Sequence, residues 1–112
     1  NDCADFSYGN YKINEVVLEN CGDKGISIGE GSNVSNNFIN INQSNIGIAS
    51  KDSSKFFSNN VKINNSKTCL SAYNKKQEFG GGYMNIENFK CENYIEGIKV
   101  DTVSKIQINE NI

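Results

Sequence analysis

Gly25-Ile26-Ser27-Ile28, Gly47-Ile48-Ala49-Ser50 and Cys69-Leu70-Ser71-Ala72 are three versions of one phrase, each set 22 residues after the last. A fourth, Gly97-Ile98-Lys99-Val100, follows after 28 residues, so that repeat carries about six extra. Cys3-Ala4-Asp5-Phe6 stands 22 residues before the first. A period of about 20–50 residues marks a solenoid or an array.

Within each repeat apolar and polar residues alternate in short bursts, the period of strands with one buried face. The first burst gives inward pairs Ala4/Phe6, Ile26/Ile28, Ile48/Ser50, Leu70/Ala72 and Ile98/Val100. The second gives Tyr11/Ile13, Val34, Phe56, Met84/Ile86 and Ile106/Ile108. The third gives Val16/Leu18, Ile39/Ile41, Val61/Ile63 and Phe89/Cys91. Three strands in 22 residues leave no room for a helix. They predict an all-β right-handed parallel β-helix of about five coils with three parallel sheets, the coils stacked about 4.8 Å apart. Ile26, Ile28, Ile41, Ile48, Val61, Ile63 and Leu70 are the expected core.

Asn14, Asn37, Asn59 and Asn109 fall at equivalent places between the second and third bursts, with Glu87-Asn88 there in the fourth coil. Asn tolerates the left-handed backbone of a tight corner, and stacked Asn side chains can hydrogen-bond from coil to coil. The column therefore reads as a corner and a ladder together.

With 112 residues the chain is long enough for one domain. It starts at Asn1 and stops at Ile112, inside a repeat, and the expectation is a single β-helix segment (1–112) of a longer protein. The first and last coils carry no polar cap. Flanking coils, or end-to-end stacking with like chains, are therefore expected partners. The net charge of −2, with no long run of one sign, argues against nucleic-acid and anionic-membrane partners. No apolar run approaches the roughly 20 residues of a membrane span.

The four cysteines contain no CxxC pair and the chain has no His, so no zinc site is expected. Cys3 and Cys69 share the column of Gly25 and Gly47 three coils apart, about 14 Å, which is too far for a disulfide. Cys91 takes a core position equivalent to Ile41 and Ile63. Four free thiols are expected.

The phrases CGDKGISIGEGS (21–32), NIGIASKDSS (45–54) and AYNKKQEFGGG (72–82) resemble tracts of the right-handed parallel β-helix superfamily that includes pectate lyases. They are also similar to β-helix repeats of long bacterial surface or secreted proteins, some of which carry a spore-coat-kinase-like domain. The resemblance implies a fold, an extracellular or cell-surface location and a polysaccharide partner, but no activity. Enzymes of that superfamily use Arg or His motifs and acidic calcium clusters, and this chain has neither Arg nor His. No cofactor and no metal is called for.

Glu30 and Asp52 share a column and stand about one coil apart, close enough for acid–base work or calcium. The expectation is nevertheless two solvated charges beside Lys24 and Lys51. The outward column Asp5, Ser27, Ala49, Ser71, Lys99 is a flat wall. Gly80-Gly81-Gly82 lacks the Lys-Ser/Thr of a phosphate loop and closes the six-residue bulge. That bulge is the expected contact site, because solenoid insertions project as loops. Tyr73 and Phe79 would stack on a sugar, Lys75 and Lys76 would hold a carboxylate or sulfate, Glu78 lies between them, and Lys51 extends the patch from one coil below. The functional expectation is a non-catalytic scaffold or adhesion segment that contacts glycan. The alternatives are a polysaccharide lyase or epimerase fragment and a trimeric phage tail-spike stem. Outward apolar residues such as Val17 and Phe57 are too scattered to favour the stem.

Overall fold

A computed structural model describes all residues, 1–112. It contains seven strands and no helix: β1 (Ala4–Ser7), β2 (Asn10–Glu19), β3 (Lys24–Gly29), β4 (Asn33–Lys51), β5 (Lys55–Tyr73), β6 (Tyr83–Val100) and β7 (Lys105–Asn111). Every pairing is parallel, in the order β1-β3-β4-β5-β6-β7 with β2 also on β4. The result is a parallel β-solenoid of about five turns.

The register matches the alternation read from the sequence. Ala4, Ile26, Ile48, Leu70 and Ile98 form one inward stack, and Val16, Ile39, Val61 and Phe89 another. The seven expected core residues are all at most 2 % exposed. Ile98 and Val100 are 41 % and 46 % exposed, because β7 pairs with β6 only over Tyr83–Phe89.

β4 and β5 are each 19 residues long because each runs around two corners without losing its ladder. The register skips at Asn37/Asn59 and at Gln43/Asn65, dividing a coil into three sides. The sequence placed the left-handed corner at the first of these, and the structure corrects it. Asn20, Gln43, Asn65 and Asn93 carry the positive φ, at 55°, 67°, 59° and 55°. One left-handed residue turns the chain there while leaving a side chain on either flank directed inward. The Asn37 column instead supplies the ladder. Asn59 Nδ2 donates to Asn37 Oδ1 at 3.0 Å, and Asn109 Nδ2 to Glu87 Oε2 at 2.7 Å. A second ladder runs beside the left-handed corner, where Asn65 donates to Asn42 at 2.8 Å and Asn93 to Asn64 at 3.2 Å.

The glycine that opens each phrase has a packing reason. A Cβ on Gly47 would lie 2.6 Å from the Cys69 carbonyl oxygen and 2.7 Å from Ile63 Cδ1, and one on Gly25 2.6 Å from the Gly47 carbonyl oxygen and 2.8 Å from Ile41 Cδ1. The isoleucine fills the space that a side chain would take. In the fourth coil the pair is Cys69 and Cys91, and the two are bonded. Cys3 and Cys21 form a second disulfide, so the expectation of four free thiols is wrong. The distance argument compared cysteines along the stack. Both bridges instead close a single coil, with Cα separations of 5.3 and 6.3 Å, within ordinary disulfide reach.

Candidate functional site

The third corner joins the first side of a coil to the second, and there the fourth coil departs from its neighbours. Tyr8, Glu30 and Asp52 hold equivalent left-handed positions, with φ of 53°, 36° and 56°. In the next coil the chain leaves Tyr73 and makes the loop of residues 74–82 before β6 begins.

Asp52 organises that loop. It is fully buried, which corrects the expectation of a solvated charge. Its Oδ1 accepts the backbone N–H of Lys75 at 2.7 Å and of Lys76 at 2.8 Å. Its Oδ2 is buried without a hydrogen-bond partner. Asn74 ties off the other half of the loop, its Nδ2 pointing at the carbonyls of Phe79 (2.8 Å) and Gly80 (2.7 Å). Gly80 N donates to Ser53 Oγ at 2.7 Å, and Gly82 N to Ser104 Oγ at 2.9 Å. The glycines do close the bulge. A Cβ on Gly82 would meet the Ser50 carbonyl oxygen at 1.9 Å, and one on Gly81 the Val103 oxygen at 2.1 Å.

The pinned loop leans over the outer face of the first side and encloses a cleft of about 260 Å³. Lys51, Tyr73, Lys75 and Lys76, four of the residues expected at the site, line it together. Lys51 and Tyr73 are register partners one coil apart, as the repeat requires. Glu78 and Phe79 do not line the cleft. Glu78 is exposed farther along the loop, and Phe79 is half-buried at its base. Asp2, Asp5, Ser7, Lys24, Ser27 and Glu30 complete the lining, so three carboxylates share the cleft with four ammonium groups, an arrangement not read from the sequence. The 22-residue column singles out Glu30 with Asp52, but as a solvated charge rather than as the partner of Lys76.

The charges in the cleft are unevenly satisfied. Lys76 Nζ pairs with Glu30, which also accepts Ser7 Oγ at 3.0 Å. The Lys76 hydrogen bond, and then that of Ser7, hold the Glu30 carboxyl below its usual range, and the same pairing raises Lys76. Lys24 pairs with Asp23 at 2.9 Å. Lys51 and Lys75 form no ion pair. The Lys51 ammonium lies back on Ser27 Oγ at 2.7 Å, and Ser27, Ala49 and Ser71 of the outward column are buried rather than an open wall. Burial, and then the nearby Asp52 carboxylate, push the half-buried Tyr73 phenol above its ordinary value, with Lys24 opposing. A phenol held in its protonated form donates a hydrogen bond and is a poor base.

No known protein family, curated protein or solved structure matches the chain.

Proposed function

We propose that this chain is a non-catalytic segment of a β-helical surface or secreted protein, of the pectate-lyase-like kind, that contacts an acidic glycan through the loop cleft. The observation that carries the reading is the buried Asp52 carboxylate, which fixes the backbone of Lys75 and Lys76. Two ammonium groups that form no ion pair, Lys51 and Lys75, then line one cleft together with Tyr73. A fixed loop loses little conformational freedom when it meets a ligand, which favours binding. A carboxylated or sulfated sugar would take the lysines through its anion and Tyr73 through a hydroxyl or its ring face. The raised Tyr73 phenol and the absence of His and Arg support contact without catalysis. Two disulfides accord with an oxidising compartment, and hence with a location outside the cytosol.

The test is titration calorimetry with oligogalacturonate and with a heparin-derived hexasaccharide. The expected result is salt-sensitive binding to at least one of them, weakened at least tenfold when Lys51 and Lys75 are both changed to Ala. Binding that the double change leaves intact would move the site elsewhere. Failure of both ligands to bind would remove the reading.

A further inference from the structure

The largest concavity of the molecule lies on another face. It runs along the outer surface of the second side of the coils, has a volume of about 590 Å³ and lies outside the lysine cleft. Its axis is the outward column Lys12, Ser35, Phe57, Asn85, in which each residue is the register partner of the next. Its far wall is the corner column of Asn14, Asn37, Asn59 and Glu87. A second hollow of about 350 Å³ shares Lys12, Ser35 and Phe57 with it and extends the groove toward Asn10 and Asn33.

We infer that this groove binds an uncharged, extended oligosaccharide, independently of the lysine cleft. Five asparagines and two serines make up seven of its eleven lining residues, and their amides and hydroxyls both donate and accept hydrogen bonds. Sugar hydroxyls do the same, so each can be satisfied from either direction. The two charges of the lining, Lys12 and Glu87, are of opposite sign, so the groove has no bias toward an ion. One aromatic ring stands in its floor. Phe57 is 39 % exposed although it sits mid-sheet, and the ring of Tyr83 braces it at 5.8 Å and 59°. An exposed ring flanked one coil away on either side by Ser35 and Asn85 is a platform for the apolar face of a sugar, with polar groups at both its edges.

The same features exclude other occupants. A peptide added as a strand needs an open row of backbone groups. Here those groups are spent on the ladders of β4 with β5 and of β5 with β6. A nucleic acid needs several unopposed cations. The wall is also rigid. Asn59 donates to Asn37 at 3.0 Å and Ser58 to Asn36 at 2.5 Å, so the amides stand at fixed intervals of about one coil, roughly 4.8 Å. That interval is close to the length of one sugar residue, and a chain lying along the solenoid axis would meet the amides of Asn14, Asn37 and Asn59 at successive steps of the wall.

The experiment is heteronuclear NMR titration of the intact chain with cellohexaose, xylohexaose and mannohexaose. At least one of them is expected to shift the amide signals of Ser35, Phe57 and Asn85. The binding should be insensitive to added salt, weaken at least tenfold in Phe57→Ala and in Asn85→Ala, and remain unchanged when Lys51 and Lys75 are both Ala. Phe57 and Asn85 point outward, and circular dichroism would confirm that both variants keep the fold. If none of the three sugars shifts these signals, or if binding follows the lysines instead, the inference is overturned. If the acidic glycans fail while a neutral sugar binds here, the lysine-cleft reading alone is lost.

Discussion

Moving the cysteine pair of the fourth coil one coil down tests whether the repeat is truly equivalent from coil to coil. The perturbation is Gly47→Cys together with Ile63→Cys. Each change alone is expected to be harmful. A side chain on Gly47 enters space held by Ile63 Cδ1 at 2.7 Å, and overpacking of this kind costs about 1–3 kcal/mol. Trimming the fully buried Ile63 to Cys removes packing worth about 2 kcal/mol or more. Together the two changes vacate and fill the same space, and a bridge across about 16 residues adds roughly 3 kcal/mol by restricting the unfolded chain. The double variant should therefore melt near the parent, with a coupling of about 3 kcal/mol or more between the sites. That is large against the roughly 5–15 kcal/mol expected of a small domain. The one remaining contact is the backbone oxygen of Cys69, 2.6 Å from a Cβ on Gly47. Cys69 itself carries a side chain at the equivalent place, so a coil can admit one there. The assays are thermal melting with and without reductant and a thiol count under denaturation. A double variant that melts as low as the sum of the single losses, with two reactive thiols, would refute the claim that Gly47–Ile63 and Cys69–Cys91 are one site.

Ile48→Asp should unfold the central coils, because an unpaired buried charge costs several kcal/mol, and a melt like that of the parent would contradict the stacking. Asp52→Ala should strip the acceptor from the Lys75 and Lys76 amides, at about 1–3 kcal/mol for each buried donor left unpaired. Hydrogen exchange should then quicken at those two amides and stay slow at Ile48 and Ile63. Acid should free the Lys76 side chain from Glu30. The Glu30 carboxyl lies below its usual value of about 4.3, so its pairing with Lys76 contributes fully above that pH and is lost as pH falls through the lower folded value. Lys76 NMR shifts should follow this acidic step and show none between pH 5 and 8 (about the range in which neither partner titrates).

The fold was legible because its signal repeats. The inward stacks of Ile26, Ile48 and Leu70 and of Ile41 and Ile63 follow from a 22-residue period with alternation inside it. What the period could not show was anything lying across a coil rather than along the stack. Cys69 and Cys91 stand on different sides of one coil, and only the angle of the corner between them brings their sulfurs together. The left-handed corner was missed for a related reason. Asn20, Asn65 and Asn93 are interrupted by Gln43, and Asn14, Asn37, Asn59 and Asn109 by Glu87, so composition alone did not separate the corner from the ladder. Of the contact site, the loop and its lysines were readable as a break in the period. The burial of Asp52 was not, because it depends on the loop folding back over a residue one coil away, a contact with no sequence spacing of its own.

The inserted loop of residues 74–82 has a consequence for how such a chain can change. Phe56 still stacks on Met84, and Ile63 on Cys91, across an added half-dozen residues. The extra length leaves sideways at the corner and does not disturb the pitch above or below it. Each third corner is thus a socket: a segment of any length whose two ends return to about one strand spacing can be spliced in there without altering the coils on either side. Asp52 and Ser53 mark such a socket in the coil below, and residues 101–104 mark one in the coil above. Three adjacent sockets would place grafted loops in a row, about 4.8 Å apart, along one edge of a rigid rod.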